Sequence, residues 1–237
     1  MKGGTKYKLF LLIILLAFWI WAAINPLYPD GWLLENYIVF IFVPIIILTG
    51  FYFKLSNTSY TLITAFMILH IIGSHYTYAE VSFGFFLQEL FGSSRNMYDR
   101  LVHFCFGLLL FYPIREMFMR LSRTKGIWGF WFPVELTFAL AAIYEIIEWL
   151  AAVNVDPSAG LAFLGSQGDI WDAQKDMLLA GIGAAITAII VFFIRFRYDK
   201  NLWQEIKDSL KPRKNDEILG EVKLKKLINK KNKNTLT

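Results

Sequence analysis

The chain has 237 residues, 56% hydrophobic and 17% aromatic, and its 18% of charged residues lies below the roughly 25% of a soluble domain. Its net charge is +5, yet 13 of the 24 Lys and Arg lie from Arg195 onward, in one tail. That placement speaks for membrane topology and anionic-lipid contact and against a nucleic-acid partner. Cys105 is the only cysteine, which excludes an intrachain disulfide and a thiolate-built metal site.

A bilayer core of about 30 Å needs about 20 mostly apolar residues per helix, and six segments meet or approach that length. Lys2, Lys6 and Lys8 precede the first, Leu9 to Ile24, which ends at Asn25-Pro26. No clean small-x-small cleavage site follows, so it is expected to be a retained span and not a signal peptide. Tyr37 to Phe53 is the second, with Pro44 as a kink. Tyr60 to His75 is the third. Between it and the fourth, Val81 to Phe91 is apolar but too short to span, and fits an interfacial or re-entrant helix. The fourth, fifth and sixth are Asp99 to Leu121, Ile127 to Val153 and Ile170 to Ile194. Between the last two, Leu161-Ala162-Phe163-Leu164 sits in a Gly- and Pro-containing connection as a candidate lid. Leu202 to Leu210 reads as a short amphipathic helix. Past Lys211, Lys alternates with Asn and few large apolar residues occur, which predicts disorder.

These readings give an all-α polytopic membrane bundle of six transmembrane helices over residues 1–198, followed by a basic, partly disordered cytoplasmic tail over residues 199–237. With both termini cytoplasmic, 21 of the Lys and Arg fall inside and only Arg95, Arg100 and Lys175 outside, as the positive-inside rule asks. Eleven of the 19 acids then collect at the outer side: Asp30, Glu35, Glu80, Glu89, Asp99, Glu145, Glu148, Asp156, Asp169, Asp172 and Asp176. Acids contribute little to topology, so this excess needs another cause.

The acids fall into pairs at helical spacing. Asp99 and His103 are four apart and share a helix face, with His103 about 6 Å deeper. Taken alone, that is also an N-cap with a packed histidine beneath it. Glu145 and Glu148 end the fifth span three residues apart among apolar neighbours, where a cation or a proton would relieve their repulsion. Asp169, Asp172 and Asp176 open the sixth. The helix dipole accounts for one or two of them, but less well for the deeper Asp176. His75 closes the third span between Ser74 and Tyr76, at the same depth.

Mixed imidazole and carboxylate ligands suit a divalent metal such as Zn²⁺ or Mn²⁺, and oxygen-rich subsets suit Mg²⁺. The candidate ligands are His75, Asp99, His103, Glu145, Asp172 and Asp176. Glu148 is a candidate general base, and Arg95 and Arg100 could hold a phosphate or carboxylate of a lipid or envelope substrate. Two other readings stay open: a non-catalytic scaffold stabilised by an Arg–acid network, and an ion-coupled transporter. The transporter is disfavoured because only Glu135 and His70 lie deeper and no inverted repeat is present.

His75-Tyr76-Thr77-Tyr78-Ala79, Tyr98-Asp99-Arg100 with His103-Phe104, Arg115-Glu116, Tyr144-Glu145 with Glu148-Trp149, and Phe163-Leu164-Gly165 through Gln167-Gly168-Asp169, Trp171-Asp172 and Asp176-Met177 together resemble the YjdF-type family of bacterial inner-membrane proteins. The resemblance covers about residues 60 to 190. It implies a multi-pass plasma-membrane protein with membrane lipids as its surroundings, and supplies no catalytic residues to carry over. The Asp99-to-His103 helix start is also similar to that of VanZ-like membrane proteins, although Arg100 stands where their pattern has Lys.

Overall fold

The computed structural model describes residues 2–155, 160, 163–211 and 221–234. Asp156, Leu161 and Ala162 lie outside the described residues. The elements are all helical: α1 (Lys2–Ala23), α2 (Pro29–Tyr52), α3 (Asn57–Tyr76), α4 (Ser82–Phe91), α5 (Tyr98–Ser122), α6 (Trp128–Val153), α7 (Asp172–Tyr198), α8 (Leu202–Ser209) and α9 (Glu221–Asn234), with a 3-10 turn at Tyr78–Glu80.

Local chemistry sets the helix ends. Pro29 stands in the first turn of α2 with Asp30 beside it, a position where a missing N–H costs nothing. Ser56 caps α3 by accepting from the Ser59 amide. Gly92, with φ 61°, closes α4 in the left-handed conformation that glycine adopts without strain. α4 presents Phe83, Phe86 and Phe91 outward and tucks Gly84 under Asn96, where an added Cβ would lie 1.7 Å from the Asn96 Oδ1.

Among the described residues, five helices are long and apolar enough to cross a membrane: Thr5–Ala23, Pro29–Tyr52, Tyr98–Ser122, Trp128–Val153 and Asp172–Tyr198. α3, expected as a further span, has the length but falls short in apolarity. Its position explains the difference. It packs between α1 and α5 and also meets α2, and it buries Ser59, Thr64, His70 and Ser74. A helix screened by other helices turns its polar groups to the bundle interior and does not need an apolar exterior all round.

The tightest crossing joins α5 to α7. Gly107 lies against the Ala180 carbonyl and Gly183 against the Phe104 carbonyl, and Thr187 Oγ1 donates to the Leu108 carbonyl at 2.6 Å. Small residues permit such backbone approach, which replaces the hydrophobic drive that lipid cannot supply. Met67, Ile71 and Leu110 fill the core between α3 and α5, and Phe111 and Ala184 that between α5 and α7.

At the end that holds the start of α1, α8 docks Leu202 and Ile206 onto Phe111 and Phe130. Where the sequence predicts disorder past Lys211, residues 221–234 form α9. Leu224, Leu227 and Ile228 recur at helical spacing there, a periodicity hidden by the Lys and Asn between them.

Candidate functional site

The opposite end of the bundle gathers most of the acids singled out in the sequence, with Arg95, Arg100 and His103 among them. Asn96 anchors the start of α5: its Oδ1 accepts from the Tyr98 amide and its Nδ2 donates to the Val81 carbonyl. Gln167 exchanges hydrogen bonds with the Asn96 backbone, so the approach to α7 is tied to the approach to α5. That latch, with the Gly107 and Gly183 contacts below it, brings the first turns of the two helices together.

Two guanidiniums occupy the seam. Arg95 pairs with Asp172 and, at 3.2 Å, with the Asp99 Oδ2, and donates to the Gly165 carbonyl at 3.1 Å. Arg100 pairs with Asp176, reaches the Asp172 Oδ1 at 2.6 Å and the Asp169 Oδ2 at 3.1 Å, and donates to the Asp172 carbonyl at 2.9 Å. Both arginines are buried, 6% and 5% exposed. Their charge is therefore directed at the chain's own carboxylates. At the rim, Asp169 also accepts from Lys175 at 2.6 Å. That bond and one from the Trp171 amide lower its carboxyl to about 2.

Each inner carboxylate commits one oxygen and leaves the other. The Asp99 Oδ2 faces Arg95, while its Oδ1 lies 3.5 Å from the His103 Nε2. The Asp176 Oδ2 faces Arg100, while its Oδ1 is buried without a hydrogen-bond partner. The Glu145 Oε1 is 3.4 Å from the His103 Nδ1, within ion-pair reach but not aligned as a hydrogen bond, and it too is buried without a partner. One ligand atom from each of Asp99, His103 and Asp176 lies within 4.8 Å of the others. Donors around a metal at about 2.0–2.2 Å fall within such a span, so this buried Asp/His/Asp cluster can coordinate a divalent ion.

Beside it is a small cavity lined by Glu35, Tyr78, Asp99, Tyr144 and Glu148, with Phe163 and Leu164 over it. Its water-sized space is about 10 Å³, enough for one water. The Glu35 Oε2 is a third buried carboxylate oxygen without a donor. Burial pushes the Tyr78 hydroxyl well above its ordinary range, and that group hydrogen-bonds His70 Nδ1 at 2.5 Å. Deeper in the bundle, an apolar chamber of about 100 Å³ runs from His70, Tyr78, His103 and Tyr144 down to Phe106 and Leu110.

The structure thus brings together Asp99, His103, Glu145, Asp172, Asp176, Arg95 and Arg100, with Glu148 at the adjoining cavity. His75 is not among them. Its Nδ1 meets the Ala22 carbonyl at 3.0 Å and its ring lies 4.6 Å from that of Trp21, so it faces α1. Glu35 was missed because a second span starting at Tyr37 leaves it in a loop. Pro29-Asp30 is the helix-start signal that places it inside α2.

Residues 7–197 match the profile of a family described as "Predicted membrane protein (DUF2238)". The chain is similar to the inner membrane protein YjdF of Escherichia coli (strain K12), 41% identical over 166 residues, or 70% of this chain and 78% of that protein. No solved structure matches.

Proposed function

The chain belongs to the family of predicted membrane proteins (DUF2238) and is a multi-pass protein of the bacterial inner membrane; from that premise we propose that Asp99, His103 and Asp176 hold a divalent metal at the outer face, where the protein acts on a lipid or envelope substrate. In this reading α3 is a sixth span and both termini are cytoplasmic. The Lys and Arg distribution supports that orientation.

One observation carries the metal: the Asp99, His103 and Asp176 ligand atoms converge while the Asp176 Oδ1 and the Glu145 Oε1 are buried without donors. Burying such oxygens without a partner costs about 1–3 kcal/mol each, and more when they are charged. A cation among them offsets that cost. Six carboxyls, those of Asp99, Glu145, Glu148, Asp172, Asp176 and Glu35, share this end with two guanidiniums, so the cluster takes up further positive charge, as protons or as a cation, even with its ion pairs made.

His103 would ligate through Nε2, with Glu145 accepting from Nδ1–H and fixing the tautomer, as carboxylates behind metal-bound histidines do. Arg95 and Arg100 are positioning residues here, each turning one carboxylate oxygen toward the ion and keeping the other. The mixed nitrogen and oxygen set favours Zn²⁺ or Mn²⁺ over Mg²⁺. When bound, the ion supplies Lewis acidity and a water of lowered pKa. Glu148, which lines the one-water cavity, would take a proton from a substrate or water. The apolar chamber below offers room for part of an aliphatic chain.

The test is metal analysis of the detergent-purified protein after loading and dialysis. About one equivalent of Zn²⁺ or Mn²⁺ is expected in the wild type, with loss in Asp176→Asn and in His103→Ala and retention in Asp30→Asn. Absence of stoichiometric metal from the loaded wild type overturns the reading.

The scaffold reading has one specific support, the pairing of both Arg95 and Arg100 with carboxylates of the chain itself. It predicts that the same substitutions lower stability without changing any metal content. An ion path is opposed by Met67, Ile71, Leu110 and Phe111, which fill the middle of the bundle.

A further inference from the structure

At the other end of the bundle, α1 and α2 both lean on α3 but part from each other, their direct contacts lying farther along, where Trp19 donates to the Asn36 Oδ1 at 2.7 Å and its ring meets those of Trp32 and Phe40. The gap between them is a cleft of about 620 Å³. Its long walls are aliphatic and aromatic, with Leu12 and Leu15 on α1 and Val43 and Ile46 on α2. Its polar groups collect at one end, where Lys8 and Lys54 line it. The Lys8 Nζ sits 4.2 Å over the Tyr60 ring. Lys54 is exposed, and neither lysine has a carboxylate partner among the described residues. Glu116, an acid of that same end, is already engaged by the Ser56 amide, the Ser59 hydroxyl and Arg120.

We propose that this cleft binds one anionic phospholipid, with an acyl chain along the α1–α2 walls and its phosphate between Lys8 and Lys54. A cleft open sideways to a bilayer is filled by lipid chains, since water there leaves apolar walls hydrated at a cost of about 25 cal/mol per Å². Charge then selects the head group. Two ammonium groups with no carboxylate partner among the described residues, above an apolar slot, complement a phosphate without a compensating amine, and basic pockets between membrane helices bind such lipids. The bland explanation is that both lysines only snorkel to the interface as topology determinants. That explanation assigns no function to the separation of α1 from α2. The leaflet rests on the orientation proposed above; the binding does not, and it is independent of the metal.

Native mass spectrometry of the full chain, titrated in separate arms with phosphatidylglycerol and phosphatidylethanolamine of the same chains, tests this. One phosphatidylglycerol is expected to bind in preference to phosphatidylethanolamine. Lys8→Gln with Lys54→Gln should weaken phosphatidylglycerol by roughly 30-fold, about fivefold for each lysine near the surface, and leave phosphatidylethanolamine unchanged. The double Arg variant should restore it. Val43→Trp, which fills the slot, should weaken both lipids. Equal binding of the two lipids by the wild type overturns the proposal. So does a double Gln variant that keeps its phosphatidylglycerol, or an equal loss from Lys230→Gln in the tail.

Discussion

Glu145→Gln separates a metal centre from a structural ion-pair network, because the two accounts give it opposite signs. The Glu145 Oε1 lies 3.4 Å from the His103 Nδ1 and is otherwise without a partner. The amide keeps the shape, mimics a protonated carboxyl and removes whatever negative charge Glu145 carries in a cluster already rich in carboxylates. At an effective dielectric of about 20, two carboxylates about 4–8 Å apart repel by about 2–4 kcal/mol. Without metal, the variant should therefore be as stable as the wild type or more so. Each kcal/mol corresponds to about 2–4 °C in melting temperature for a chain of this size. With metal the order reverses. Loss of the carboxylate behind a ligating histidine weakens metal binding by about 10–100-fold, about 1.4–2.8 kcal/mol. The assay is thermal melting of the purified protein across a Zn²⁺ or Mn²⁺ titration, with and without chelator. A variant less stable than the wild type under both conditions, with unchanged metal dependence, would refute the reasoning.

Arg100→Gln should be the most damaging substitution in the cluster, since it strands Asp176 and leaves Asp172 to Arg95 alone; breaking a buried pair costs about 3–5 kcal/mol, read as a lower melting temperature. Gly183→Ala places a Cβ 2.2 Å from the Phe104 carbonyl. The resulting overpacking costs about 1–3 kcal/mol, and by parting α5 from α7 it should also reduce metal content without touching a ligand. Asp169 has its carboxyl lowered to about 2 by the Lys175 hydrogen bond and the Trp171 amide. Its contribution is thus present above its unfolded pKa of about 3.9 and is lost as pH falls through about 2. The melting difference between wild type and Asp169→Asn should be flat from neutral pH to about pH 5 and shrink below that.

Much of the site was legible as spacing. Asp99 with His103, Glu145 with Glu148, and Asp172 with Asp176 lie three or four residues apart near helix ends, and the fold sets these pairs against one another. Rotation about a helix was harder to read. His70 and Ser74 share one face of α3, and His75, one residue on, is turned by about 100° toward α1; nothing in its own segment shows which neighbour α3 offers to which face. Pairing was equally hidden. Arg95 and Arg100 read as ligands for a substrate anion until α7 is seen to bring Asp172 and Asp176 onto them. The low apolarity of α3 has a related cause, because its contacts with α1, α2 and α5 are a tertiary property that a hydropathy window does not contain.

The metal proposed at Asp99, His103 and Asp176 is most directly tested by X-ray absorption spectroscopy of the purified protein loaded with one equivalent of Zn²⁺ or Mn²⁺. The account predicts a first shell of oxygen and nitrogen with one imidazole, at about 2.0–2.2 Å for Zn²⁺, and loss of the imidazole signal in His103→Ala. A shell without imidazole in the wild type, or one unchanged in His103→Ala, would contradict it.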